Sequence, residues 1–396
     1  MNKSSEYSGE PDSSTTNNIV IAIDSFKGSL TSLQAGNSAA VGIKRVYPKA
    51  HITVLPLADG GEGTVNAMIS GCGGKKISTI VSGPLGLPVS CEYGILNDKQ
   101  TAVIEMSAAA GLTLIAEAQR DPMVTTTFGV GEIIRDAVKK GCRNFIVGIG
   151  GSATNDGGAG MLQALGFELL DKNGHDISYG AQGLRDLVSI SNKKVIPELS
   201  QCSFRIACDV DNPLCGENGC RVFAVQKGAA DEMLTQMDKW LDEFARIAKS
   251  LYPHADENYP GAGAAGGLGF AFMTFLNARL EPGVNIILDS INLREEIKNA
   301  DILITGEGKL DSQTVMGKAP CGAAKIAKEY SKPVIALCGC VSPDAGVCNS
   351  AGIDAFFPVV RSAVSPDEAM NTCNAQRNVA DTAEQVFRVI RCMNTK

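Results

Sequence analysis

Apolar residues recur along this chain with the spacings of alternating strands and helices. At the N-terminal end, a β-branched run at 19–23 precedes a helical pattern that stops before Pro48, and a second strand at 51–57 follows. The C-terminal end repeats this order. Its predicted elements are a strand at 301–305, a helix at 317–329, a buried strand after Pro333 and a helix at 379–391. Strand–helix–strand order predicts a doubly wound, parallel sheet.

The middle of the chain shows a less regular pattern. Residues 76–106 alternate apolar and polar positions around two turn signals, which predicts a β-hairpin rather than a helical crossover. Helical periodicity returns at 129–139, a strand follows at 144–147, and the longest amphipathic pattern covers 232–251. A hairpin together with strand–helix units indicates a mixed sheet.

The order of these elements predicts the α/β class with two α/β domains. Both chain ends form one doubly wound, Rossmann- or flavodoxin-like domain with a parallel sheet, and the middle is an inserted α/β domain with a mixed sheet. We place the discontinuous domain at 19–75 and 286–396 and the insertion at 76–285. Residues 1–18 are polar and predict a disordered tail.

Charge and cysteine content exclude several functional classes. The 36 basic and 43 acidic residues give a net charge of −7, so no basic field exists that would attract a nucleic acid. Apolar runs reach only about eight residues, too few for a membrane helix, and the polar N-terminus lacks the apolar core of a signal peptide. Thirteen cysteines without a CxxC pair are typical of free thiols, so we expect a cytoplasmic protein.

Glycine is the compositional anomaly and locates the candidate site. The chain has 43 glycines in 396 residues, roughly 11% against a usual figure of about 7%. More than a third of them fall into four clusters, at 60–63, 148–160, 261–269 and 306–308. Three of these clusters directly follow predicted strands, where ligands bind in open α/β sheets. Glycine there lets the backbone approach a phosphate, although a single cluster is also typical of a tight turn.

Two common nucleotide-binding motifs do not explain these glycines. The closest approach to a P-loop, at 312–319, lacks the first glycine and the final hydroxyl residue. A GxGxxG run at 261–266 follows Pro260 rather than a strand and fails as a dinucleotide-binding fingerprint, although it could receive an anion at the start of a helix. The three histidines lie outside the glycine clusters, which disfavours a Ser-His-Asp triad or a histidine-rich zinc site.

Charged residues accompany the glycine clusters. The carboxylates beside glycine or at strand ends are Asp24, Asp59, Glu62, Asp156, Asp209, Asp211, Glu307 and Asp311. The lysines beside the same loops are Lys27, Lys227, Lys309 and Lys318. An extended strand would direct Asp209 and Asp211 to the same side, as a Mg²⁺ site requires, whereas Pro213 favours an exposed turn.

Six motifs occur in order along the chain. They are Asp24-Ser25-Phe26-Lys27-Gly28-Ser29, Ala58-Asp59-Gly60-Gly61-Glu62-Gly63-Thr64, 148–161, Ala207-Cys208-Asp209-Val210, 261–269, and Thr305-Gly306-Glu307-Gly308-Lys309-Leu310-Asp311 with Gln313-Thr314 and Gly317-Lys318. In this combination the chain resembles the bacterial-type glycerate kinases, a family separate from the P-loop kinases. The resemblance covers 19–392. Asp211 stands where the family usually has Asn, and Ala224-Val225 where it usually has Gly-Pro.

The resemblance implies a specific reaction. The γ-phosphoryl group of ATP would pass to D-glycerate with the help of Mg²⁺, as part of organic-acid catabolism. The product would be 2-phosphoglycerate, with 3-phosphoglycerate left open. The partners are then D-glycerate and ATP, with no nucleic acid and no membrane, and a homodimer is left open.

The resemblance also divides the candidate residues into four groups. The catalytic candidates are Lys27, Asp156 and Asp311, with one of the two carboxylates as base for the attacking hydroxyl. The substrate-binding candidates are Asp24, Ser25, Asp59, Glu62 and Lys318. The nucleotide-binding candidates are Gly150, Gly151, Ser152, Asn155, Gly266 and Gly267. The Mg²⁺ candidates are Asp209 and Glu307.

Two other functions stay open at this point. A kinase for another short hydroxy acid would carry the same motifs, because the pocket that selects the acid is not readable from the sequence. A non-catalytic ligand-binding homologue would keep the fold, although carboxylates and lysines accompany the motifs.

Overall fold

The elements of the chain are taken from a computed structural model that describes residues 18–58, 60–61 and 63–394. The strands are β1 (Asn18–Ile23), β2 (His51–Pro56), β3 (Gly74–Ser82), β4 (Pro88–Leu96), β5 (Thr101–Glu105), β6 (Asn144–Gly148), β7 (Glu168–Leu170), β8 (Ser189–Ser191), β9 (Ser203–Ala207), β10 (Arg279–Glu281), β11 (Ile302–Gly306), β12 (Lys309–Leu310), β13 (Val334–Cys338), β14 (Cys340–Val341) and β15 (Ala355–Pro358). The α-helices are α1 (Ser32–Lys44), α2 (Thr64–Cys72), α3 (Ser107–Ala110), α4 (Phe128–Lys139), α5 (Ala159–Ala164), α6 (Ala181–Leu184), α7 (Asp231–Leu251), α8 (Ala264–Leu276), α9 (Gly283–Ser290), α10 (Leu293–Lys298), α11 (Ala319–Glu329), α12 (Val347–Ser350), α13 (Pro366–Met370) and α14 (Thr372–Asn394).

The chain divides into two compact units. The first combines the residues up to Pro56 with those from Asn292 onward, and the second is Leu57–Ile291. The first boundary lies earlier than residue 75, where the sequence pattern places it, because α2 packs against β4 and β5 of the second unit. Of the predicted tail at 1–18, Asn18 begins β1, and the other residues lie outside the described part of the chain.

The first unit contains a five-stranded sheet in the order β2-β1-β11-β13-β15, and all its pairings are parallel. This order is that of a flavodoxin-like doubly wound sheet, so the predicted fold class is confirmed for this unit. Apolar residues of β1, β11, α1 and α14 form one core. β1 is buried from Ile19 to Ile23, which explains its uninterrupted apolar sequence.

Helix α1 shows how local sequence positions this core. Thr31 caps the helix by accepting from the backbone N–H of Gln34, whose side chain bonds back to Thr31 in a capping box. Gly42 then lies against α14, and a Cβ added there would be 1.9 Å from the carbonyl oxygen of Ala380. The crossing of α1 and α14 therefore requires a residue without a side chain.

Gly42→Ala is expected to destabilise the protein by about 1–3 kcal/mol, the usual cost of overpacking a tight contact. The added methyl must displace backbone of α14 rather than a flexible side chain. Urea unfolding would measure the change, with Val41→Ala as the control, since Val41 is the neighbouring residue and is 55% exposed. Equal unfolding midpoints for both variants would contradict the close crossing.

The second unit contains a six-stranded sheet in the order β10-β9-β6-β5-β4-β3. β5, β6, β9 and β10 run parallel, whereas β3 and β4 form an antiparallel hairpin and β4 pairs antiparallel with β5. The predicted hairpin and the predicted mixed sheet are thus confirmed. One apolar core joins this sheet to α4, α5, α7 and α8, with Phe145 stacked on Phe204 at a centroid distance of 4.7 Å.

Two predicted helices begin differently from the expectation. The helix predicted at 317–329 begins two residues later, as α11 at Ala319, because Gly317 is left-handed with φ 107° and ends the preceding 3₁₀ turn at Ser312–Met316. The helix opened by the Gly/Ala run, α8, is interrupted where Ala265, Gly266 and Gly267 all take positive φ values. Within the described residues, no helix combines the length and apolar character needed to cross a membrane.

Candidate active site

The central strands of the first unit end where the chain changes direction across the sheet. From β1 the chain passes through α1 to β2 on one side, whereas β11, β13 and β15 follow on the other side. Such a topological switch point leaves a crevice beyond the carboxyl ends of the strands, where ligands bind in open α/β sheets. The loops that leave β1 and β11 at this point carry residues 24–30 and 307–311.

The loop after β1 brings three predicted site residues to the switch point. The Asp24 N–H donates to the carbonyl of Gly306 at 2.8 Å, which ties this loop to the end of β11. Asp24 is buried, and its Oδ1 accepts the Ser25 N–H at 2.6 Å. Ser25 is half-buried and Lys27 is exposed. The loop thus offers a hydroxyl and an accessible ammonium beside a fixed carboxylate.

The loop after β11 carries a charged cluster made of Glu307, Asp311 and Lys318. Lys318 Nζ lies 3.5 Å from Glu307 Oε2 and 3.6 Å from Asp311 Oδ1, so one ammonium serves two carboxylates. Lys309 Nζ lies 3.3 Å from the other oxygen of Asp311. The hydroxyl of Thr314 donates to Glu307 Oε1 at 2.6 Å. Three predicted site residues therefore meet in one cluster.

The two carboxylates of the charged cluster differ in their ionisation. Burial raises the pKa of Glu307, against the opposing effects of the Thr314 hydroxyl and Lys318. Burial acts in the same direction on Asp311, but its hydrogen bond to Lys309 and the charge of Lys318 help to outweigh it, and the pKa of Asp311 is lowered. Asp311 is therefore ionised across the neutral range, as a group that accepts a proton must be.

In the second unit, glycines meet at the carboxyl edge of the mixed sheet. A Cβ on Gly148, at the end of β6, would lie 2.2 Å from the carbonyl oxygen of Gly60, and one on Gly60 would lie 2.9 Å from the Cα of Gly283. Three backbone segments approach one another here at distances that only glycine permits. The predicted substrate-binding residues Asp59 and Glu62 belong to the loop around Gly60 and lie outside the described residues.

The loop after β6 has an exposed outer limb, Gly150–Gly151, and a buried inner limb, 152–155. Both limbs are fixed by backbone bonds: the Gly151 carbonyl accepts the Leu112 N–H at 3.0 Å, and the Ala153 N–H donates to Ala110 at 2.8 Å. Ser152 is only 6% exposed. The outer limb is therefore the part of this loop that can receive a phosphate through its backbone.

Asp156 acts as a structural anchor, which corrects its interpretation as a catalytic base. Its Oδ2 accepts the N–H and the hydroxyl of Thr127 at 2.8 and 2.9 Å and the Gly160 N–H at 3.2 Å. Its Oδ1 accepts the Gly158 N–H at 3.0 Å. The residue has no exposed surface. A carboxylate with both oxygens engaged inside the unit cannot reach a substrate hydroxyl, so Asp311 remains as the candidate base.

Burial also corrects the nucleotide-binding roles expected for Asn155, Gly266 and Gly267. Asn155 has no exposed surface, and its Oδ1 accepts from Lys227 at 3.0 Å. A Cβ on Gly266 would lie 2.0 Å from the carbonyl oxygen of Thr154, and one on Gly267 would also meet backbone. These residues pack the inner limb against the start of α8. We therefore restrict the proposed phosphate contacts to Gly150 and Gly151, with Ser152 next to them.

The Asp209–Asp211 pair does not lie on an extended strand. β9 ends at Ala207, and both carboxylates are exposed in the loop beyond it. The alternation of an extended strand therefore does not apply to them, and the exposed segment matches the alternative that Pro213 favours. Asp209 Oδ1 accepts the Gly283 N–H at 3.0 Å, so Asp209 joins two loops of the carboxyl edge.

The charged cluster fits a Mg²⁺ ion that arrives with a nucleotide. In the part of the chain that the structure describes, no three His, Cys, Asp or Glu side chains converge to hold a metal by themselves. Mg²⁺ on a nucleotide needs only one or two carboxylates, together with phosphate oxygens and water. Glu307, the predicted Mg²⁺ candidate beside Lys318, is a carboxylate of the kind that such an ion would use.

Glu105 and Thr127 were missed in the sequence analysis, and Lys227 was named there without a role. Glu105 ends β5 at the same carboxyl edge, and its Oε1 accepts the Val65 N–H at 2.8 Å at the start of α2. Its place at the end of an apolar strand was a usable signal. Thr127 and Lys227 act on buried groups of the glycine loop, and no pattern of spacing marks such contacts.

Lys318→Met is expected to shift the acid limb of the pH profile of kcat/KM to higher pH. The Lys318 ammonium opposes protonation of both Glu307 and Asp311, so its loss raises the pKa of each carboxyl. Initial rates between pH 4 and 8 would measure the shift. Lys328→Met is the matched control, because Lys328 in the same unit pairs with the exposed Asp354. An unchanged acid limb in the Lys318 variant would contradict this coupling.

A charged cluster at a switch point and an exposed glycine limb at another sheet edge are features of an enzyme that handles phosphate groups. The glycerate kinase family profile matches residues 19–391. The chain therefore belongs to the glycerate kinase family, and it is a kinase.

Individual relatives agree with this placement. The glycerate 2-kinase of Escherichia coli strain K12 is 47% identical over 371 residues, which cover 92% of this chain and 97% of the relative. The glycerate kinase of Bacillus subtilis strain 168 is 44% identical over 378 residues, covering 95% and 98%. A crystal structure from Salmonella typhimurium LT2, whose assignment as glycerate kinase 2 is itself provisional, superposes with a TM-score of 0.90 at 43% identity and covers 96% of this chain and all of the other.

Proposed function

We propose that this enzyme transfers the γ-phosphoryl group of ATP to D-glycerate and forms 2-phosphoglycerate. The observation that carries the proposal is the charged cluster at the switch point, where one lysine lies between a buried and a half-buried carboxylate. The E. coli relative named a glycerate 2-kinase supports the choice of the 2-hydroxyl. Thirteen cysteines without a disulfide along the described chain support a cytoplasmic location.

The reaction requires orientation of the acceptor and neutralisation of charge more than covalent chemistry. We assign the carboxylate of glycerate to Lys27, the exposed ammonium of the β1 loop, and its hydroxyls to Ser25 and Asp24. Asp311 accepts the proton of the attacking hydroxyl because it is ionised at neutral pH and partly accessible. Lys318 then stabilises negative charge that develops on the transferred group.

The nucleotide is assigned to two kinds of group. Gly150 and Gly151 would donate backbone N–H groups to phosphate oxygens. Glu307 would hold Mg²⁺, which neutralises phosphate charge when bound, whereas Asp311 keeps its role as the base. Asp59, Glu62 and Asp209 stay candidates for contact with substrate or metal.

Product analysis tests the proposal most directly. The enzyme would be incubated with D-glycerate and Mg-ATP, and phosphorus NMR would resolve the 2-phosphate from the 3-phosphate. We expect only the 2-phosphate; formation of the 3-phosphate would overturn the proposed regiochemistry. Parallel reactions with L-glycerate, hydroxypyruvate and a four-carbon sugar acid test the substrate. A higher kcat/KM for any of these would reassign the enzyme to another short hydroxy acid.

A further inference from the structure

Lys227 is a buried lysine whose ammonium group contacts only neutral acceptors in the described structure. The residue is 1% exposed, and its Nζ donates to the carbonyl of Thr154 at 2.7 Å and to Asn155 Oδ1 at 3.0 Å. The nearby buried carboxylate of Asp156 is bonded to other donors, from Thr127, Gly158 and Gly160. Burying an ammonium without a bonded counter-charge is costly, so this position requires a compensating role.

The groups around Lys227 leave its charge largely uncompensated. Burial lowers the pKa of Lys227 to about 8, and Cys220 and Asp156 oppose this only in part. Burial raises the pKa of the Cys220 thiol to about 12, so Cys220 is neutral; Asp238 of α7 acts in the same direction on it. Arg120 approaches the same turn and donates to the backbone beside Lys227. The site thus holds an ammonium that titrates close to the physiological range.

The position of this ammonium relates it to the exposed glycine limb. Thr154 and Asn155 form the inner limb of the loop whose outer limb is Gly150–Gly151. Thr154 lies three positions after Gly151, so the two Cα atoms are at most about 10 Å apart. The backbone bonds of Gly151 and Ala153 fix the loop between these points. A polyanion on the outer limb would therefore lie near the limb that Lys227 holds, at a distance over which its buried charge still acts.

We propose that Lys227 is a positioning residue of the nucleotide site: its buried ammonium holds the inner limb of the loop and stabilises polyphosphate on Gly150–Gly151 through space. This inference rests on the proposed assignment of ATP to that limb. One charge at about 10 Å in an effective dielectric constant near 20 changes affinity roughly tenfold. By linkage, bound polyphosphate must favour the protonated lysine, so nucleotide binding above pH 8 takes up protons.

Calorimetry with Mg-ATP in the absence of glycerate tests this uptake. Titrations of the full chain at pH 8.5 in Tris and in HEPES, two buffers with different ionisation enthalpies, give the number of protons bound. If binding raises the lysine pKa by one unit from about 8, the wild type takes up roughly half a proton per nucleotide. Lys227→Met should take up none and bind roughly tenfold more weakly.

Lys44→Met is the matched control. Lys44 also donates to two backbone carbonyls, those of Pro48 and Ala50, but it belongs to the first unit. It should keep the wild-type uptake. Wild-type binding without uptake, or equal uptake in Lys227→Met, would overturn the inference. Absence of any nucleotide binding by the wild type would instead overturn the proposed function.

The wild type alone provides a second measurement if the Lys227 variant fails to fold. Proton uptake should be small at pH 6.5, where the lysine is already protonated, pass through a maximum between pH 8 and 9, and fall again above it. Uptake that stays at zero across this range would refute the role of Lys227 without any variant.

Discussion

Asp311→Asn is expected to lower kcat/KM for glycerate by about three orders of magnitude, in the range that loss of a general base produces. The amide cannot accept the proton of the attacking hydroxyl, and it removes one of the two negative charges beside Lys318. The fold should survive, because Asn can still accept the Gln313 N–H that Asp311 accepts at 3.1 Å. Steady-state kinetics would measure the loss of activity, and a thermal unfolding curve would show whether the fold is kept.

The matched control for this variant is Asp344→Asn. Asp344 is an exposed carboxylate beside the same 3₁₀ turn and accepts the Ser312 N–H at 3.2 Å. It has no contact with Lys318 in the described structure, so its loss should leave kcat/KM within about threefold of wild type. If both variants kept near-wild-type activity, the assignment of the base to Asp311 would be wrong.

Asp156→Ala is expected to produce the largest loss of stability, about 3–5 kcal/mol. The substitution leaves four buried donors without an acceptor: the N–H and hydroxyl of Thr127 and the N–H groups of Gly158 and Gly160. These donors connect the start of α4 to the start of α5. Urea unfolding followed by circular dichroism would measure the loss.

Asp171→Ala provides the comparison for the anchor. Asp171 also accepts two backbone N–H groups, those of Asn173 and His175, but it does so in an exposed turn where water replaces the lost bonds. Its variant should unfold close to the wild-type midpoint. A loss in Asp156→Ala no greater than that of Asp171→Ala would show that the buried bonds contribute little.

Regular periodicity made the first unit the more predictable part of the fold. The β-branched run at 19–23 and the apolar run after Pro333 became central parallel strands, β1 and β13. The site residues placed at the ends of such strands, among them Asp24 and Glu307, lie at the switch point because chain order fixes where parallel strands end. Residues of this kind can be located from sequence alone.

The glycine loops of the second unit were harder to predict than its sheet, because glycine has two uses that look alike in a sequence. Gly150 and Gly151 remain exposed, whereas Gly266 packs against the Thr154 carbonyl. Both belong to clusters of the same composition, and only the path of the neighbouring backbone separates them. Asp156 likewise resembles Asp311 in sequence context, but its oxygens accept from the distant Thr127 as well as from Gly158 and Gly160 of its own loop. The bonds from Thr127 leave no local pattern in the sequence.

The pairing of β1 with β11 joins residues that are far apart in the order of synthesis. The bond from the Asn18 N–H to Asp301 spans 283 positions. At about 5–20 residues per second, a ribosome takes roughly 15–60 s to supply the second partner. The second unit is contiguous in sequence and can fold during this interval, whereas β1 cannot yet pair with β11. The charged cluster is therefore made only after the whole second unit, and a nascent chain that stops short of residue 302 has no switch point.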